Sequence, residues 1–239
     1  MNFELTVIIP CYNEAKRLEG IFALIRSNIS LDWEWIFVDD GSIDGTDGII
    51  QAFIEHEPQK IRFLSLPKNC GKGRAVREGI MKARAPLLGY VDADLSASPL
   101  LFSKFLKNRD LLAGKEMIVG IRRKNKDCQI KRHLYRQILG RCFKMYTSCL
   151  TGLNVYDSQC GFKLLASDTA RRIASAMVVE GFAFDVELLL RAVHLGLRLK
   201  EAPVPWEEKR DNKIRPYHLF EMARDVHRIW WRLNVLHEY

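Results

Sequence analysis

The chain has 239 residues, enough for one large domain or two small ones with a sizeable core, and its 48% hydrophobic content argues against a disordered chain. A formal net charge of +8 calls for an anionic partner such as a nucleotide, a phospholipid headgroup or nucleic acid. No stretch reaches the roughly 18 apolar residues of a membrane span, and the opening MNFELTVIIP lacks the basic segment of a signal peptide.

The predicted elements begin with a β-branched run, LTVIIP (5–10), followed by helical periodicity over about 13–29. This strand ends in Pro10-Cys11-Tyr12-Asn13-Glu14. A second strand, WEWIFVDD (33–40), ends in Asp39-Asp40-Gly41-Ser42 and leads to a helix over 44–56. An Asx-turn before a helix capped by Asp44 needs fewer acids than VDDGSIDGT (38–46) supplies, so Asp39 or Asp40 is expected at a ligand. IRFLSL (61–66) is the next strand. NCGKGRA (69–75) after it resembles a phosphate-binding glycine loop without its full spacing, so Lys72 either serves a nucleotide or simply opens the helix over 72–84.

The strand LLGYVDAD (87–94) carries Asp92-x-Asp94 and precedes a helix over 98–113 and a strand, MIVGIR (117–122). Alternate residues on an extended segment point to opposite faces, so both carboxylates can meet one ion only if the chain turns there. Oxygen ligands suit a hard cation, Mg²⁺ or Mn²⁺. The competing reading is a carboxylate capping the next helix, a task for which Ser96 or Ser98 is the better candidate. The alternation of strands and helices predicts an α/β fold, a mostly parallel sheet with helices on both faces and ligands at the carboxyl ends of its strands. Three strands ending in polar clusters on one edge predict one site.

The second half is more helical and more basic. Around QIKRHLYRQILGRCFKMYTSCL (129–150), Lys131, Arg132, Arg136, Arg141 and Lys144 form either a solvated face or an anion-binding one. DSQCGFKLL (157–165) supplies polar turns, and GFAFDVELLLRAV (181–193) is helical. Asp185 and Glu187 there either favour a helix N-terminus or belong to the site. LRLKEAPVPW (197–206) is strand-like. From Pro216 a final helix carries an apolar stripe of Leu219, Met222, Val226, Ile229, Leu233 and Leu236, flanked by Arg224, His227, Arg228, Arg232, Trp230 and Trp231. We expect this helix at a membrane surface; the alternative is docking on the protein's own core. The six cysteines show neither a CxxC pair nor zinc spacing, and are expected as thiols in a reducing compartment.

In this order and spacing, VIIPCYNE, FVDDGSIDGT, NCGKGRAVREGI and YVDADLSASP resemble the nucleotide-sugar half of a family 2 inverting glycosyltransferase with the GT-A fold. DSQCGFKLL, FAFDVELL and Trp206 followed by Lys213 resemble the dolichyl-phosphate glucosyltransferase branch and its polyprenyl relatives. The resemblance implies one catalytic domain over 1–208, with a nucleotide-sugar half (1–122) and an acceptor half (123–208), and a basic amphipathic helix over 209–239. Pro10, Tyr12 and Glu14 would line the base and ribose pocket, with Asp39 or Asp40 reading the base edge. Lys72 and Lys213 would neutralise donor phosphates, and Asp92 and Asp94 would hold Mg²⁺ or Mn²⁺ on the diphosphate.

GIRRK (120–124) matches the place where such enzymes carry an arginine for the acceptor phosphate, so Arg122, with Arg132 and Arg136, is assigned there. Asp157, Gln159 and Gly161 would surround the sugar, Gly161-Phe162-Lys163 shaping the wall through backbone contacts. Asp94, Asp185, Glu187 and Arg122 form the expected catalytic set. The mannosyl branch carries a glutamine where this chain has Ser96, which favours UDP-glucose or a related UDP-sugar over GDP-mannose.

The implied activity is inverting sugar transfer to dolichyl or polyprenyl monophosphate by a protein peripheral on the cytoplasmic face of a membrane. A phosphate acceptor is already anionic and needs no strong base. The same fold acting on a saccharide hydroxyl would need Asp185 or Glu187 as base. A non-catalytic nucleotide-sugar or membrane-binding protein would not need the paired aspartates. Nucleic-acid binding fits the charge alone, because no helix-turn-helix, RNP-like aromatic motif or zinc finger accompanies it.

Overall fold

The computed structural model describes residues 3–55, 59–122, 134–206 and 216–237. In chain order the elements are β1 (Leu5–Cys11), α1 (Leu18–Ser27), β2 (Trp33–Asp39), α2 (Thr46–Ile54), β3 (Ile61–Ser65), α3 (Lys72–Lys82) and β4 (Leu87–Val91). A short 3₁₀ segment (Pro99–Lys104), α4 (Arg109–Leu112) and β5 (Glu116–Ile121) follow. The rest comprises α5 (Leu134–Thr151), β6 (Phe162–Ala166), α6 (Ser167–Ala176), α7 (Phe184–His194), β7 (Arg198–Pro203) and α8 (Pro216–Asn234). The strands form one sheet in the order β3-β2-β1-β4-β6-β5-β7 among the described residues.

Neighbours in β3-β2-β1-β4 run parallel, in register Val7↔Trp35 and Ile8↔Tyr90. β6 runs antiparallel to both β4 and β5, and β7 returns parallel to β5. Period-2 alternation splits the strand side chains between two apolar layers. Leu5, Val7 and Ile9 join Trp33, Trp35 and Phe37 beneath α1 and α2, while Ile8, Ile36, Val38 and Tyr90 face α3, α6 and α7. Strands buried on both faces read as continuous apolar runs, which is why they were legible.

Three expectations need correction. The strand expected over 87–94 ends at Val91, so Asp92 and Asp94 stand on a turn, with the Leu95 N–H on the Asp92 carbonyl at 3.1 Å. The helix expected over 98–113 is broken: Asn108 accepts from the Asp110 and Leu111 N–H groups and so starts a new helix. The stripe of the final helix does not face outward. Met222, Val226, Ile229 and Leu233 are buried in the core against α5 and α7, leaving Phe220, Trp231 and Leu236 exposed. No helix among the described residues is long and apolar enough to cross a membrane, and the described cysteines form no disulfide with one another.

Candidate active site

Because β4, β5 and β7 point the same way as β1 and β2, their carboxyl ends share one edge of the sheet. The reversed β6 delivers its preceding loop, 157–161, to that same edge. The polar residues expected at a site therefore do meet, and the geometry sorts them by task.

The loops after β1 and β2 are knitted together. The Asn13 N–H donates to Ser42 Oγ (2.8 Å), the Glu14 N–H to Thr46 Oγ1 (2.8 Å), the Ala15 N–H to Asp44 (3.1 Å) and the Ile43 N–H to Asn13 Oδ1 (2.9 Å). Asn13 holds the left-handed conformation (φ 51°) that this crossing requires. Pro10 lies next to the last residue of β1, Tyr12 is half-buried on the loop, and Glu14 pairs with Arg17 at 3.1 Å. Asp39 accepts from both the N–H and the hydroxyl of Ser42.

Asp40 takes a different role from the base-reading one. Both its oxygens are engaged, by the Cys70 N–H (2.7 Å) and the Gly71 N–H (2.8 Å), and it is buried. It anchors the glycine loop that opens α3. Burial raises its pKa despite these two bonds. Gly71 (φ 106°) is required there, since a Cβ would run into the Glu180 backbone.

That loop sets Lys72 at the start of α3, with Nζ 2.5 Å from Asp92 and 5.7 Å from the Phe184 ring centroid. Burial works against charge on both partners. The ion pair outweighs it, so the Asp92 carboxyl lies below its usual pKa and the Lys72 ammonium above. Asp94 accepts the Ser96 N–H at 2.9 Å, and Leu95 is held at φ 53° between them. Burial, then the charge of Asp92, raises the Asp94 pKa. Gly161 packs flush on Asp92, where any Cβ would overlap the carboxylate. This explains a glycine in DSQCGFKLL.

Arg122, just past β5, and Asp157 form a two-pronged pair at 2.5 and 2.7 Å. The guanidinium lies 4.8 Å from the Trp206 ring centroid, and despite its burial Asp157 strengthens its hold on the proton. Gln159 makes only long contacts, to the Phe182 carbonyl (3.5 Å) and Met222 sulfur (4.0 Å). Arg132 and Lys213 lie outside the described residues, as does the side chain of Arg136 on α5.

Two of the expected catalytic residues are buried among partners within the fold. Glu187 is fully buried, accepting the Val178 and Val179 N–H groups at 2.8–3.0 Å and Arg191 Nε at 2.9 Å. It holds the turn between α6 and α7. Asp185 is also buried, bonded to the Tyr90 hydroxyl and 2.8 Å from Lys163 Nζ. Residues two apart on a helix face apart, and here Glu187 turns to Arg191 while Asp185 turns to Tyr90 and Lys163. Tyr90 and the Lys163 side chain had not been singled out. The signal for Lys163 was present, a lysine inside the apolar run GFKLLA, which can be buried only with partners. Tyr90 carried none.

The sequence pattern of Glycosyl transferase family 2 matches residues 6–173. The chain belongs to that family. This glycosyltransferase is 34% identical to the dolichyl-phosphate beta-glucosyltransferases of Dictyostelium discoideum (97% of this chain, 75% of the relative) and Drosophila melanogaster (98% and 76%). The human relative of the same name is 31% identical over 98% of this chain and 76% of its own. Among solved structures, it resembles mannosyl-3-phosphoglycerate synthase from Rubrobacter xylanophilus (TM-score 0.68, 20% identity, 98% of this chain and 75% of that one). It also resembles glucosyl-3-phosphoglycerate synthase from Mycobacterium tuberculosis, solved with Mn²⁺, UDP-glucose and phosphoglyceric acid (TM-score 0.70, 17%, 95% and 78%). The fold is the GT-A fold.

Proposed function

We propose that this glycosyltransferase moves glucose from UDP-glucose to dolichyl or polyprenyl monophosphate, with inversion and with Mg²⁺ or Mn²⁺ bound. The observation that carries the reading is the 31–34% identity, across almost the whole chain, to enzymes named for dolichyl-phosphate glucosylation.

Asp92 and Asp94 fit a hard divalent cation. Both are carboxylates on one turn, and burial followed by the charge of Asp92 raises the Asp94 pKa, an environment that a divalent cation would relieve. Among the described residues no third Asp, Glu, His or Cys completes a cluster, so donor oxygens and water would fill the remaining positions. Bound there, the ion would neutralise charge on the departing diphosphate. Lys72 and the opening of α3 take the donor phosphates, with Lys213 assigned beside them. Pro10, Tyr12, Glu14 and Asp39 line the nucleoside side.

Arg122 takes the acceptor phosphate, with Arg132 and Arg136 assigned around it, and Asp157 aims its fork. Asp157, Gln159 and Gly161 face the sugar. With both anions aligned, catalysis is positioning plus electrostatic stabilisation. The burial of Asp185 and Glu187 supports a phosphate acceptor over a saccharide hydroxyl, which needs a base within reach. A single catalytic domain over 1–208, covered by the C-terminal helix, would sit on the cytoplasmic face of a membrane, with exposed Phe220, Arg224, Arg228 and Trp231 supporting that contact.

The test is incubation with Mn²⁺ or Mg²⁺, a short polyprenyl phosphate and UDP-glucose, other UDP-sugars or GDP-mannose, read by mass. A glucosyl polyprenyl phosphate is expected from UDP-glucose. Product only from GDP-mannose, or only on a saccharide, would overturn the reading.

A further inference from the structure

Lys163 is fully buried as the second residue of β6, in register with Tyr90 on β4 and Val119 on β5. Its ammonium donates to the Ser158 carbonyl at 2.8 Å and the Cys160 carbonyl at 2.7 Å, and pairs with Asp185 at 2.8 Å. It also lies 5.6 Å from the Tyr90 ring centroid, and the Tyr90 hydroxyl bonds the same carboxylate. One cation thus joins a strand leading to Asp92, the loop 157–161 and the helix α7.

The loop it holds has two ends with known contacts. Asp157 grips Arg122 in two bonds, and Gly161 lies flush on the Asp92 carboxylate. The two carbonyls that the ammonium takes flank Gln159, the middle of that loop. Loosening them would shift both ends together, one toward the arginine and the other toward the aspartate turn. Stability does not require such a device, because a buried ion pair can be replaced by apolar or neutral groups of similar size at little cost. What a carbonyl-bound ammonium adds is a fixed loop height.

We infer that Lys163 is a positioning residue for sugar transfer, setting from below the places of the Asp157–Arg122 pair and of Asp92. This rests on the function proposed above. The side chain touches no substrate; it acts through the loop. Asp185 serves as its counter-ion and holds it centred, rather than as a base.

The test combines Lys163→Met with Asp185→Asn in the full chain. Lys163→Met alone would leave a buried carboxylate without its cation, which is expected to unfold the protein. The double change removes both charges, and the amide oxygen still accepts from Tyr90. The double variant should unfold cooperatively on heating, bind UDP with Mn²⁺ more weakly than wild type in calorimetry because Asp92 is one of the groups the loop positions, and take up deuterium faster over 156–162 alone. Its kcat/KM for polyprenyl phosphate should fall about 100-fold, the effect of a ~1 Å misplacement, and KM for UDP-glucose should rise with the weaker metal–UDP binding. A merely structural pair would lower all activities in proportion to folded protein. A folded variant with unchanged deuterium uptake or unchanged kcat/KM would overturn the inference, and so would a double variant that does not fold. If wild type makes no lipid product, the functional reading fails instead, and deuterium uptake over 156–162 alone decides for or against Lys163.

Discussion

Asp94 stands half-buried on the turn after β4, one oxygen on the Ser96 N–H, its charge opposed by burial and by Asp92. Replacing it by Ala removes a proposed metal ligand and little packing. Turnover should fall by ~100-fold or more, with Tm within a few degrees of wild type, and EDTA should reproduce the loss; full activity in EDTA would refute the assignment. Glu187 carries the same chemical group to the opposite outcome. Glu187→Ala frees two backbone N–H groups and removes the carboxylate to which Arg191, 4% exposed, donates. That should destabilise by about 3–5 kcal/mol and lower Tm by roughly 10 °C, while kcat per folded molecule stays near wild type. Thermal unfolding beside single-turnover rates separates the two variants. The Asp92-x-Asp94 motif sets Asp94 apart in the sequence, whereas the structural role of Glu187 shows only once Val178, Val179 and Arg191 are folded around it.

At the scale of an element, α8 shows how a correct pattern can point to the wrong surface. The three- and four-residue spacing of Met222, Val226, Ile229 and Leu233 is an apolar stripe, and it is buried on α5 and α7. The face left outside carries Phe220, Arg224, His227, Arg228 and Trp231, at steps that also return to one side of the helix. Aromatic rings among arginines suit an anionic lipid interface. Phe220→Glu with Trp231→Glu should abolish co-sedimentation with anionic vesicles at low salt and leave Tm unchanged. Wild-type binding should weaken as salt shortens the screening length to about 8 Å near physiological strength. Equal pelleting of both chains would remove the membrane role from this face.

For the whole molecule, the docked stripe means that deleting α8 removes part of the core rather than a detachable anchor. Burying a side chain such as Met222, Val226, Ile229 or Leu233 contributes roughly 1.5–3 kcal/mol, and a domain holds only about 5–15 kcal/mol in all. A chain ending at 215 should therefore lose cooperative unfolding or precipitate, as scanning calorimetry would reveal; a soluble, fully stable truncation would contradict the docking. By itself, the sequence determined the alternating strands and helices, the shared edge at Cys11, Asp39 and Asp92, and the family, because each is written in local periodicity or in short contiguous motifs. The tertiary structure alone decided that Asp40 anchors the glycine loop, that β6 runs backwards, that Glu187 and Asp185 lie buried, and that Lys163 holds the 157–161 loop. Asp40–Cys70 and Tyr90–Asp185 join residues 30 and 95 positions apart, and β6 pairs with strands distant in the chain. The nearer partners of Glu187 and Lys163, 3 to 9 positions away, meet them only once the turns at 158–160 and 178–179 are folded. The energy of burying a charge depends on where such partners arrive, which no local pattern encodes.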